Sequence, residues 1–266
     1  MAINIVVSGP RGKVGTAAIN MIQAEPTFHL VACIDYKHDG KRLKDITDFD
    51  LDVPVYGDPD DCFKSEKVDV LLDLTVPEAG FTLPTSDLEY GVREVSGTSG
   101  YTQAHIQKFE MIATQKQIGC IIAPNFAIGA ILMMHFAKIA AKFFPDVEII
   151  EKHHDQKLDA PSGTAVKTAE LIQEVRTAKH QGHEHEEETL AGARGGNVDG
   201  MRIHSVRLPG LVAHQEVIFG GPGQILTIKH DSMNRDSFME GVKTTIKHVM
   251  TINHFIYGLE NMLDLS

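Results

Sequence analysis

The sequence is poor in cysteine, in positive charge and in long unbroken apolar runs, and each shortage removes a class of protein. Its three cysteines, Cys33, Cys62 and Cys120, have no paired spacing, so they describe neither a disulfide framework nor a zinc site. Cys33 and Cys120 lie inside apolar runs and read as packed thiols. Lys and Arg number 25 against 36 Asp and Glu, a net charge of −11. That balance argues against nonspecific binding to nucleic acid or to an anionic membrane. The most apolar long stretch, 128–144, contains His135, Lys138 and Lys142 and is too short to span a bilayer comfortably. The first eight residues lack the basic segment and cleavage pattern of a signal peptide. A soluble, cytoplasmic protein is expected.

What is present is a chain of 266 residues that is 42% hydrophobic, enough for one large domain or two modest ones with real cores. Short apolar runs at 3–8, 29–34, 68–74, 92–96 and 118–123 alternate with amphipathic stretches. This rhythm predicts a doubly wound parallel sheet of Rossmann type, an α/β fold. Pro77 opens a helical stretch that Pro84 limits or kinks. After about residue 126 the rhythm changes. A helix over 128–144, a strand over 147–151 and a helix from Ser162 to about Lys179 lead to a polar segment, 181–200, expected as an exposed loop. Runs at 202–208, 213–219 and 224–230 follow, separated by Pro209-Gly210 and Gly220-Gly221-Pro222-Gly223 as antiparallel strands would be. The chain reads as helical from Arg235. The expected organisation is a dinucleotide-binding domain (1–126), an inserted α+β domain (127–233) and a C-terminal segment (234–266) that returns to the first domain.

Gly9, Gly12 and Gly15 punctuate the turn between the first strand and first helix, with Pro10, Arg11, Lys13 and Val14 between them. Glycines there permit a tight turn and let a pyrophosphate approach the backbone at a helix N-terminus. The spacing has one residue more than the common G-x-G-x-x-G pattern. Asp35 follows Gly15 at the end of the second strand, where a carboxylate can accept from ribose hydroxyls. Lys37 and His38 lie close enough in sequence to meet a 2′-phosphate, so the choice between NADH and NADPH stays open.

Residues 151–165 read Glu-Lys-His-His-Asp-Gln-Lys-Leu-Asp-Ala-Pro-Ser-Gly-Thr-Ala. Negative overall, the chain concentrates here what an acidic substrate needs. His153 and His154 can bind or exchange protons near neutral pH. Lys157 can pair with a carboxylate or donate a proton. Ser162 is an N-cap after Pro161, and Gly163-Thr164 offer backbone N–H groups and a hydroxyl to an anion. Asp159 and Ser162 taken singly are ordinary turn and cap residues; the whole set in so short a stretch points to a site.

On these residues the chain resembles the dihydrodipicolinate reductases, with supporting matches at 9–15, Gly97-Thr98-Ser99-Gly100, Pro124-Asn125-Phe126 and Arg235. The resemblance implies NAD(P)H-dependent reduction of a small cyclic dicarboxylate in lysine and diaminopimelate biosynthesis, by a cytoplasmic homotetramer joined through its second domains. It implies that His153 exchanges the proton and Lys157 donates one, and that His154, Lys157, Ser162, Gly163 and Thr164 hold carboxylates. It places Gly97, Thr98, Ser99, Pro124, Asn125 and Phe126 beside the nicotinamide, residues 9–15 and Asp35 along the rest of the dinucleotide, and Arg235 near it. Asp35-Tyr36-Lys37 departs from the commoner acid-then-base pair, and Thr98-Ser99 from a Thr-Thr pair. No metal is implied: the histidines and glutamates of 180–188 read as a solvated loop. A serine hydrolase lacks its elbow, and a thiol-dependent semialdehyde dehydrogenase lacks its nucleophile, because Cys120 lies mid-strand. The competing class is a dinucleotide sensor without catalysis, which has no need for a complete proton-transfer set.

Overall fold

In the computed structural model, residues 2–75, 87–98, 100–263 and 265 are described. They divide into two compact units, Met1–Ala127 with Arg235–Ser266, and Ile128–Asn234. The helix expected from Pro77 lies outside the described residues.

The first unit is built on β1 (Ile3–Ser8), β2 (Phe28–Ile34), β3 (Val55–Tyr56), β4 (Val70–Asp73), β5 (Arg93–Ser96), β6 (Cys120–Ile122) and β12 (Phe255–Tyr257). Their order is β12-β6-β5-β4-β1-β2-β3, and every pairing is parallel. Ile5, Val6, Val7, Val70, Leu71 and Leu72 are fully buried, as central strands covered on both faces require. Helix α1 (Lys13–Ala24) buries Ala17, Ala18, Ile19 and Ile22. Helix α2 (Pro59–Ser65) starts at Asp58, whose side chain accepts from the Asp60 N–H. Helix α3 (Gln103–Lys116) is capped by Thr102 and ends at Gln117 in a left-handed conformation. The C-terminal segment supplies α6 (Met239–Val249), which packs against α1, β5 and β6, and the short α7 (Leu259–Met262). It is not purely helical as expected. Phe255–Tyr257 adds an edge strand beside Cys120–Ile122, a run too short to show a period in sequence.

The second unit is a mixed sheet in the order β11-β10-β7-β9-β8, from β7 (Asp146–His153), β8 (Gly196–Val198), β9 (Met201–Arg207), β10 (Ala213–Gly221) and β11 (Gln224–Ser232). Helices α4 (Ile128–Ala141) and α5 (Gly163–Gln173) pack on it. Two expectations are corrected here. Pro209-Gly210 does not join antiparallel neighbours. It carries the chain across β7, so that β9 lies parallel to one edge of β7 and β10 antiparallel to the other. Of these two turns, the Gly221–Gln224 turn does close a hairpin, with Gly223 at φ +73°. Nor is 181–200 simply an exposed loop. The buried Gln181 amide accepts from the Val147 N–H at 2.8 Å and donates to its carbonyl at 3.0 Å, as a neighbouring strand would, and Gly196–Val198 pairs with β9. A polar side chain that imitates a peptide leaves no apolar signature in sequence.

A Cβ on Gly15 would overlap the Gly9 carbonyl oxygen. Gly15→Ala should therefore cost about 1–3 kcal/mol in denaturant unfolding, the usual penalty for overpacking, and should weaken dinucleotide binding in titration calorimetry.

Candidate active site

The glycine turn leaves β1 through Gly9 at φ +83°, a conformation that disfavours any side chain. The Gly9 N–H donates to Ile34 O at 3.2 Å, which ties the turn to β2. Gly12 precedes α1 and provides no side-chain cap, so the first N–H groups of the helix are left for an anion. Pro10 is buried, while Arg11 and Lys13 are exposed and Val14 is half-buried. Asp35 follows β2 directly. Arg11 Nε donates to Asp35 Oδ2 at 2.5 Å, the Lys37 N–H donates to Oδ1 at 3.0 Å, and His38 Nδ1 lies 3.1 Å from Oδ1. Burial alone would raise the Asp35 pKa, but the Arg11, His38 and Lys37 interactions outweigh it and hold the carboxyl below its usual range. The turn and Asp35 are thus brought together.

The two expected nicotinamide-side loops also meet. A Cβ on Gly97 would press on the Phe126 ring at 2.8 Å, and Phe126 is buried. Asn125 Oδ1 accepts from the Ala127 N–H at 2.9 Å, fixing the turn after Pro124. Thr98 is buried, and its hydroxyl lies 2.9 Å from Asp73 Oδ2. Ser99 lies outside the described residues. Asp73, unassigned by the sequence reading, also accepts from the Thr75 N–H, the Thr75 hydroxyl and the Ser96 hydroxyl. It ties the end of β4 to the 96–98 segment, and its only sequence signal is an acid ending an apolar strand. Arg235 opens a 3₁₀ turn, Arg235–Phe238, that packs against α1.

In the second unit, His153 is the last residue of β7 rather than a residue beyond the strand. Its Nδ1 lies 2.6 Å from Glu151 Oε2. Lys157 Nζ donates to Asp159 Oδ1 at 2.7 Å. Asp159 is largely exposed, so the pair is weak enough to yield to another carboxylate. His154 is half-buried, and its carbonyl accepts from the Lys157 N–H. Ser162 is buried and caps α5, accepting from the Ala165 N–H at 3.3 Å, while its own N–H donates to Glu151 Oε1 at 3.2 Å. A Cβ on Gly163 would meet nothing within 4 Å, so the helix start is open there. The Thr164 carbonyl accepts from Thr168 Oγ1, which accepts in turn from the buried Gln215 amide. Glu151, Arg207 and Gln215 carry no role in the sequence reading; Arg207 and Gln215 lie far along the chain from the motif they support. Among the described residues, no group of three or more His, Cys, Asp and Glu is placed to hold a metal ion, and no helix is long and apolar enough to cross a membrane.

Residues 3–126 match the family model described as dihydrodipicolinate reductase, N-terminus, and residues 129–263 match the one described as dihydrodipicolinate reductase, C-terminus. The chain belongs to the dihydrodipicolinate reductase family. Its relatives include the 4-hydroxy-tetrahydrodipicolinate reductase of Oceanobacillus iheyensis, 62% identical over 99% of this chain and 100% of that one. That of Bacillus cytotoxicus is 56% identical over 98% and 99%. A solved dipicolinate-bound dihydrodipicolinate reductase from Paenisporosarcina sp. TG-14 superposes with a TM-score of 0.90, at 51% identity over 98% of this chain and 100% of that one. A probable dehydrogenase from Thermotoga maritima shares the fold alone, at 15% identity and a TM-score of 0.64 over 97% and 92% of the two chains. As a dihydrodipicolinate reductase the protein is an NAD(P)H-dependent oxidoreductase. Its glycine cradle, uncapped helix start and Asp35 fit the dinucleotide that this family implies.

The depressed Asp35 pKa has a sign. Between that value and about 3.9, the unfolded-state carboxylate value, the unfolded chain binds more protons. Stability from this group is therefore complete above the unfolded value and is lost as pH falls through the folded one. Asp35→Asn should flatten that part of an acid-unfolding curve while leaving the rest in place.

Proposed function

We propose that the chain reduces 4-hydroxy-tetrahydrodipicolinate to tetrahydrodipicolinate in lysine and diaminopimelate biosynthesis. The substrate, NAD(P)H and one proton give tetrahydrodipicolinate, NAD(P)⁺ and water. The observation that carries this reading is the second unit's own assembly: an imidazole held by a buried carboxylate, a lysine on a displaceable partner, and an open capped helix start, all within residues 151–165. When bound, the nicotinamide supplies the hydride. His154, Lys157 and the N–H groups and hydroxyl of Gly163-Thr164 hold the two carboxylates. Ser162 sets the helix start rather than spending its hydroxyl on substrate. Lys157 leaves Asp159, neutralises the substrate and supplies a proton as negative charge develops. His153 takes up the proton that water loss frees from a ring carbon and returns it to the leaving hydroxyl, so the one proton consumed overall is the one from Lys157. A sensor without catalysis is disfavoured, because it would keep no such set.

Residues 9–15 would hold the dinucleotide, with Asp35 toward the ribose, Gly97 to Ser99 and Pro124 to Phe126 toward the nicotinamide, and Arg235 near it. Asp35 suits the free hydroxyls of NADH, and Arg11, Lys37 and His38 suit the 2′-phosphate of NADPH, so both serve. A cytoplasmic location accords with use of this reductant. A homotetramer forms through the second unit's sheet, where Ile150, Val206 and Ile218 alternate with the buried residues and are only half-covered in one chain.

Lys157→Ala should lower kcat by about 10²–10⁴-fold, the scale of general acid–base help, with dinucleotide affinity unchanged. The assay is NADH or NADPH oxidation with freshly made synthase product; no oxidation by the wild type with either cofactor defeats the reading. Sedimentation should show four chains, and Ile218→Glu should shift the population to smaller species.

A further inference from the structure

The sequence motif ends at residue 165, yet the group that organises it lies outside. Glu151 has no exposed side-chain surface. Arg207, the register partner of His153 on β9, approaches it with both terminal nitrogens: Nη1 donates to Oε2 at 2.9 Å and Nη2 to Oε1 at 2.7 Å. Such a two-pronged clamp fixes direction as well as charge. Ser162 adds its N–H to Oε1. One of the lone-pair directions left on Oε2 faces His153 Nδ1 at 2.6 Å. Arg207 Nη2 also donates to the Asp159 carbonyl at 2.7 Å, so the same guanidinium holds down the turn that carries Lys157.

We propose that Glu151 and Arg207 are positioning residues: they fix His153 as the Nδ1–H tautomer, with Nε2 left for proton exchange, and set the Lys157 turn beside it. A clamped, ionised carboxylate can only accept, so the proton between it and the ring sits on Nδ1. Among the described residues nothing hydrogen-bonds to Nε2. Ala213 on β10 pairs with His153 in the sheet and brings no charge to it. The ionisable groups around the ring are Glu151 on its own strand, Arg207 from β9 and Lys157 from the turn. Burial lowers the His153 pKa, Glu151 raises it, and the Lys157 and Arg207 charges lower it, leaving the imidazole below its usual value and neutral at pH 7. A neutral ring with one defined free nitrogen is what a proton-exchanging histidine needs. Burial raises the Glu151 pKa, but Arg207, Ser205 and His153 outweigh it and keep the carboxyl low, which preserves the acceptor.

This inference rests on the reductase reading, and its first test does not depend on turnover. Nitrogen-15 NMR of the intact wild-type protein, with His153 assigned by comparison with His153→Gln, should show Nδ1 protonated and Nε2 bare. A dominant Nε2–H tautomer overturns the proposal. With wild-type oxidation of NAD(P)H established, Glu151→Gln should lower kcat by about 10²–10⁴-fold, with KM and dinucleotide affinity within about threefold. The pH limb of His153 should move to lower pH, since an interaction that favours the imidazolium is gone. In a His153→Ala background the same change should cost little more, because the two residues act as a unit. Additive losses, or an unmoved limb, reject a positioning role. Arg207→Lys keeps the charge but not the fork, and should give an intermediate loss. Wild-type inactivity would instead strike the reductase reading and leave the tautomer result standing.

Discussion

An ionised carboxylate taken out of water must have its lone pairs filled or it destabilises the fold, and Glu151 is where the second unit meets this constraint. The Arg207 fork, the Ser162 N–H and His153 Nδ1 satisfy it. Each of those groups comes from a different element: β9, the start of α5, and the end of β7. Satisfying one buried charge therefore sets the register of two strands, docks a helix start and aims an imidazole. The Lys157 turn follows, because Arg207 also holds the Asp159 carbonyl.

The first unit meets a comparable constraint at Asp73, with neutral donors in place of a guanidinium. Gly15 lets the turn after β1 close onto Gly9 without a Cβ between them. Asp73 gathers Thr75, Ser96 and Thr98 at the ends of β4 and β5, and Gly97 allows the Phe126 ring to lie against that loop. Small residues permit close approach, and one buried acid then fixes what has approached.

Much of this was legible in the chain. Central parallel strands are continuous apolar runs, so β1, β2, β4, β5 and β6 announced themselves. The glycine turn, Asp35 and the 151–165 stretch were visible because their chemistry is local: a strand end, a helix start and the side chains between them. Elements held by few residues or by polar contacts were not. Phe255–Tyr257 is a strand only because Cys120–Ile122 offers an edge. Gln181 stands in for a strand through its amide. Pro209-Gly210 reads in sequence as a turn between neighbouring antiparallel strands, because a Pro-Gly turn has the same composition whether it closes a hairpin or spans a neighbour.

The sequence by itself determined the fold class, the glycine turn after β1 and which groups gather in the 151–165 stretch, since each is written in residue type and short spacing. Tertiary structure alone decided which groups control them. Arg207 lies more than fifty residues from Glu151 in sequence but beside it in the sheet, because β7 and β9 run in parallel register. Whether a histidine is an idle surface group or an aimed proton carrier depends on such a neighbour, and pairing between distant strands is a property of the folded sheet that no local pattern encodes.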